Sequence, residues 1–120
     1  MKKLLYYFGT IVILSLSYSA KAQNIPFEKE YFKLDKEGFK IAEDQIEEGD
    51  EFFELGKYYM KDAIPFYEKA NKFNPSNDQL NYKLGVCYYH TRQNEKAITH
   101  LEKAKALNPL IGQDINFYLG

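Results

Sequence analysis

A chain of 120 residues with 45% hydrophobic and 28% charged side chains has material for one small domain or a few helical repeats; its 4 Pro and 7 Gly beside 11 Tyr and 9 Phe favour packed helices. The formal net charge is −1, and from Gln23 onward 17 acidic residues stand against 13 basic ones, so no strong basic stripe is present to displace counterions from a nucleic acid. One cysteine, Cys87, excludes an internal disulfide framework.

The chain opens on an export signal, residues 1–22. Met1-Lys2-Lys3 is the positive start, Leu4 to Leu16 the apolar stretch, and Ala20 and Ala22 the small residues of a cleavage site. Cleavage after Ala22 makes Gln23 the first mature residue. The apolar stretch is shorter than the roughly 20 residues of a membrane span, although an uncleaved anchor stays open. No Cys follows it to accept a lipid. The Lys-Lys start and the Ala-Gln junction look bacterial, which predicts export to the periplasm, with outer-membrane association.

Residues 23–41 come next as an arm or leading helix. Phe27, Tyr31 and Leu34 fall at spacings of 4 and 3, the mark of a short amphipathic helix or of an arm that packs one face. Glu37 to Leu55 reads as one longer helix. Residues 28–54 hold 11 acidic and 4 basic side chains, which predicts a solvated acidic helix face.

The rest of the chain repeats itself. Ala63-Ile64, Tyr67-Glu68-Lys69-Ala70 and Asn74-Pro75 recur as Ala97-Ile98, Leu101-Glu102-Lys103-Ala104 and Asn108-Pro109, an offset of 34 throughout. Ala63, Tyr67, Ala70 and Phe73, like Ala97, Leu101, Ala104 and Leu107, lie on one helix face, and Asn-Pro ends each helix. A preceding helix carries Leu84, Gly85 and Tyr88. The set Leu84-Gly85-x2-Tyr88, Ala97-x3-Leu101, Ala104 and Pro109 resembles the tetratricopeptide-repeat (TPR) family, with Asn81 in place of the usual Trp and Arg92 in place of a second Gly. In the first unit Gly49, Phe52, Gly56 and Tyr58 match helix and turn positions, and Ala63 arrives two residues late, so the turn carries an insertion. Asp62 is expected to cap the helix that follows, with Pro65 in its first turn.

The resemblance implies an all-α solenoid of antiparallel helix pairs: one repeat over 42–77, a second over 78–112, and the start of a third over 113–120. Asp114 to Gly120 opens that third helix, so the protein is expected to continue, and Phe117, Tyr118 and Leu119 are expected to be sticky enough for self-association. Two repeats alone should be only marginally stable.

Phe52-Phe53-x2-Gly56, Tyr58-Tyr59, Ala63 to Ala70, Asn81 to Tyr88 and Asp114 to Gly120 also resemble, over residues 42–120, the N-terminal region of a family of Bacteroidetes envelope proteins. In that family a signal peptide and TPRs precede a β-propeller and an OmpA-like peptidoglycan-binding domain, and some members serve type IX secretion and gliding. The resemblance implies a non-enzymatic scaffold for protein partners. Peptidoglycan would be reached only through domains that this sequence lacks. Two other readings stay open: a spacer between the envelope and a downstream peptidoglycan-binding domain, and a glycan-capture protein.

Catalytic chemistry finds no foothold. Cys87 and His90, three apart on a helix, could pair as nucleophile and base, but Cys87 holds a packed repeat position. His100 is expected on the solvated surface. No metal-ligand spacing and no phosphate loop is present, so no catalytic, cofactor or metal residue is assigned. Tyr58, Tyr67 and Tyr88 are expected in the core. The candidate binding groove comprises Ile46, Asp50 and Phe53 from the first unit and Tyr82, Val86, Tyr89 and His90 from the second. The Lys/Asn pattern of a carboxylate clamp is missing, which speaks against acidic C-terminal peptides.

Overall fold

The computed structural model describes residues 23–112 and 115–119. The expected export signal, residues 1–22 with Ala22, lies outside the described residues; Gln23 is the first of them and is exposed. Among the described residues there are helices and no strands.

Helix α1 (Lys36–Glu54) starts where the Asp35 side chain accepts the Gly38 N–H at 2.9 Å, relieving one of the unpaired amides of the first turn. Its buried side chains, Phe39, Ala42 and Gly49, follow helical spacing, while Glu43, Asp44, Glu47, Glu48, Glu51 and Glu54 stand in solvent. Gly56, at φ 102°, turns the chain into a 3-10 turn over Lys57–Tyr59. Helix α2 (Met60–Phe73) follows directly. Asn74 adopts an extended conformation before Pro75 and ends it, as the steric demand of proline on its neighbour requires. Helix α3 (Asp78–His90) is capped by Asn77, whose side chain accepts the Leu80 N–H at 2.9 Å. Helix α4 (Asn94–Leu107) ends at Asn108-Pro109 in the same way as α2. A short α5 (Ile115–Leu119) packs on α4 and α3.

The helices pair as α1 with α2 and α3 with α4, and α2 joins the pairs by packing on α3. Tyr67, Leu84 and Leu101 are fully buried between them, among Ala63, Ala70, Ala97 and Ala104. Two close approaches recur. A Cβ at Gly49 would lie 2.6 Å from the Tyr67 ring, and one at Gly85 would lie 2.5 Å from Leu101 Cγ. Each pair of helices therefore meets at a glycine of its first helix and a large side chain of its second. Phe52, half-buried, stacks on Phe66 with ring centroids 5.9 Å apart, and Tyr88 is buried. Pro75 and Pro109 are exposed and act only on the backbone.

Three expectations are overturned here. Tyr58 is 80% exposed, because the inserted residues form the 3-10 turn and swing it off the core, where Met60 sits instead. Asp62 does not cap α2, which starts two residues earlier. Pro65 therefore lies inside the helix, beyond its first turn, where it removes one backbone hydrogen bond. His100 is half-buried: its Nδ1 lies 2.9 Å from Asn81 Oδ1 and its ring stacks on Tyr88.

Asn81 has no exposure. Its amide donates to the Pro75 and Asn77 carbonyls at 3.0 and 2.7 Å while its oxygen meets His100. A polar bridge thus fills the place where the repeat usually packs a Trp. Burial, then the nearby Lys103, holds the His100 imidazole below its ordinary value of 6.5. The folded state disfavours the proton, so its stability is full above pH 6.5 and declines as pH falls through that value toward the folded pKa. Urea midpoints are expected to fall on acidification in this window, and to fall less in His100→Gln.

Arg92, in the turn between α3 and α4, has φ 62°, the left-handed region that glycine adopts without steric cost. Arg92→Gly is expected to raise the midpoint of thermal unfolding, with a gain of about 1 kcal/mol set by relief of that strain.

Candidate partner-binding surface

The predicted groove residues come from α1 and α3. They divide into two clusters and one buried residue. On α1, half-buried Ile46 packs at the edge of the core, and Phe53 meets the Tyr67 ring edge-on at 6.2 Å. Between them Asp50 Oδ1 accepts hydrogen bonds from Tyr67 Oη at 2.5 Å and from Lys83 Nζ at 2.7 Å. Lys83 spans from α3 to α1, so this ion pair ties the two first helices together; its members are about one-third exposed. A pair so placed is worth little as Coulomb energy alone, and its effect is to fix geometry. Burial first, and the bond to Asp50 second, push the Tyr67 phenol far above its usual 10, so it stays a neutral donor.

Toward the end of α3 the surroundings change. Tyr89, 37% exposed, meets Tyr118 edge-on at 4.9 Å, and exposed His90 lies 6.1 Å from the same ring. Half-buried Tyr82 lies under the turn at Gly112, where a Cβ would sit 3.5 Å from its ring. Val86 is a correction to the predicted groove: at 3% exposure it belongs to the core with Ile111 and Ile115, because the segment after α4 folds back over it. Tyr118 and Leu119 are half-buried against that core. The Phe117 side chain lies outside the description.

Sequence reasoning missed two contributors. Lys83 is the single Lys or Arg of α3 and faces an acidic α1, a pairing signal present in the sequence. The arm was unforeseen as a lining element. Residues 23–28 cross the mouth between α1 and α3, bending at Phe27, which packs on the core and lines a cavity with Ile46, before the 3-10 turn Lys29–Phe32.

Reactive groups are quiet. Cys87 is fully buried and burial pushes its thiol up to about 12, so it is not a thiolate at neutral pH, while His90 is exposed. Among the described residues no group of three or more His, Cys, Asp or Glu could hold a metal ion. Among them, too, no helix is long and apolar enough to cross a membrane.

Helical hairpins that meet at a glycine, stack edge to edge and end on Asn-Pro define a TPR-like helical repeat. Residues 60–110, from the start of α2 to the turn after α4, match the tetratricopeptide repeat family. A stretch of 56 residues is 41% identical to the BBSome complex member BBS4 of Bos taurus, covering 47% of this chain and 10% of that protein. This chain thus spans a tenth of the relative's length. No solved structure matches it. TPR repeats form a family that mediates protein–protein interactions.

Proposed function

We propose that this chain is the TPR module of a non-enzymatic scaffold that is exported to the bacterial periplasm, associates with the outer membrane and docks a protein partner there. The observation that carries the docking reading is the surface shared by α1 and α3. Phe53 reaches solvent in part near the Asp50–Lys83 pair, and Tyr89 and His90 are exposed toward the end of α3. Partly desolvated aromatics beside an oriented charge are the side chains from which interface anchors are drawn. Export rests on the pattern of residues 1–22. Membership of a larger envelope or secretion machine rests on the resemblance to OmpA-like proteins of the Bacteroidetes. Any peptidoglycan contact would belong to downstream domains.

The test is retention of partners from an envelope extract by full-length protein, wild type against Phe53→Ala/Tyr89→Ala, with helicity checked by circular dichroism. A partner kept by wild type and reduced about tenfold or more by the folded variant is the expected result; such a drop corresponds to the loss of one anchor. Equal retention by both proteins, or none by either, would move these aromatics to packing and overturn the docking surface.

A further inference from the structure

The mouth between α1 and α3 is not empty. Residues 24–28 lie across it as a strap held by main-chain and amide contacts, with a bend at Phe27, where the Glu28 N–H donates to the Pro26 carbonyl at 2.9 Å. The Ile25 N–H donates to the Ser76 carbonyl at 2.8 Å. The Ile25 carbonyl accepts from Asn74 Nδ2 at 2.9 Å and from Asn77 Nδ2 at 3.1 Å. The Asp78 N–H donates to Asn24 Oδ1 at 2.9 Å. Two side-chain amides that are themselves buried thus converge on one peptide carbonyl, and Phe27, two residues later, packs on the core and lines the same cavity as Ile46.

The repeat explains why a carbonyl is wanted there. Asn108, at the position equivalent to Asn74, donates its amide to Asp78 Oδ2 at 2.7 Å. By the Gly49–Gly85 correspondence, the counterpart of Asp78 in the first unit is Ala42, which offers no acceptor. Asn74 therefore depends on a carbonyl supplied from outside the helix pair, because an unpaired buried amide is costly. The strap supplies it, but fits loosely. No residue from 23 to 32 is buried, and a cavity of about 320 Å³ remains beside Phe27 among Ile46, Leu80 and Lys83. Phe32 stacks on Phe39 at 5.3 Å, meets Phe73 at a tilt at 5.0 Å and stacks on Phe27 at 6.1 Å, a fixed hinge for the segment ahead of it. Few buried contacts on a hinged end are the features of a segment that opens at low cost.

We infer that residues 24–28 are a built-in competitor at a site for a polypeptide segment that bends as they do. A partner segment enters by displacing them, presenting one carbonyl to Asn74 and Asn77 and an apolar or aromatic side chain two residues later to the cavity that Ile46 lines. This rests on the scaffold reading but adds the mode of recognition and its regulation: the site is closed until the strap leaves.

The probe is a fluorescein-labelled peptide of residues 23–32, titrated into the full chain. Asn24→Ala/Phe27→Ala loosens the strap without touching a buried side chain. Asn77→Asp keeps the acceptor that caps α3 and removes the amide that holds the carbonyl. The loosened variant is expected to bind the peptide about tenfold more tightly than wild type, the difference made by removing an occupant. Adding Asn77→Asp should abolish that gain while helicity holds. Equal binding by wild type and the loosened variant, no binding by either, or insensitivity to Asn77→Asp would overturn the site. Loss of helix in the loosened variant would make the strap a structural cap and overturn displacement. Since the probe is the chain's own segment, failure to find an envelope partner would leave this result standing, and failure of the probe would leave the Phe53–Tyr89 surface standing.

Discussion

Leu101→Ala and Gly85→Ala should each destabilise the chain strongly, and together they should cost less than their sum. Leu101 is fully buried, so its truncation removes transferred apolar surface and leaves a cavity, a loss of about 2–5 kcal/mol. Gly85→Ala acts oppositely. Its new Cβ would meet Leu101 Cγ at 2.5 Å and the Leu101 backbone nitrogen at 3.2 Å, so the side chain alone cannot resolve the clash; overpacking of this kind costs about 1–3 kcal/mol. In the double variant the alanine methyl at 85 occupies space vacated at 101, and the coupling should recover about 0.5–3 kcal/mol. Urea midpoints of the four proteins give the cycle directly. Strict additivity would mean that the two helices do not meet at this glycine.

Asn81→Leu is the second large effect. The substitution preserves bulk, but it strips the Pro75 and Asn77 carbonyls and His100 Nδ1 of their shared partner. Asn77 O still accepts from the Asn81 N–H, so its loss is partial. Groups left wholly unpaired in a desolvated place cost about 1–3 kcal/mol each, and the outcome should exceed that of a typical surface change by several-fold. The midpoint of chemical unfolding checks it. A variant as stable as wild type would mean that water or a shift of α4 replaces the amide.

Much of this fold was legible because its determinants are local and periodic. The offset of 34, the alanine and Asn-Pro positions and the Leu84-Gly85 step each depend on contacts within one helix pair, and Leu84, Leu101, Tyr67 and the alanines around them are buried as their spacing required. Errors arose where spacing stops constraining the backbone. In the two-residue insertion, the consensus position of Tyr58 carried over but its direction did not, because a 3-10 turn rotates side chains differently from the turn it replaces. His100 read as exposed because a polar residue beside Thr99 carries no sign of a polar partner, and Asn81 was counted as a deviation from Trp when it is that partner. Two of the seven predicted surface residues are covered by segments outside the two repeats. Val86 is covered by the segment that follows α4, and Ile46 shares a cavity with Phe27 of the arm. Long-range packing of non-periodic segments leaves no mark in hydrophobic spacing.

The arm also sets an order of events. Its bonds join residues 49 to 54 positions apart, whereas the contact of each glycine with its partner helix closes within a single hairpin. Contacts of wide sequence separation carry the larger loop-closure entropy and form slowly. A chain made from its N-terminus thus emerges with Asn24 and Ile25 ahead of α1, yet they have no place to settle until Asn77 and Asp78 have followed and α3 has begun to wind. During vectorial synthesis the leading segment is secured only after the first hairpin, and it remains accessible through the interval in which that hairpin has already closed.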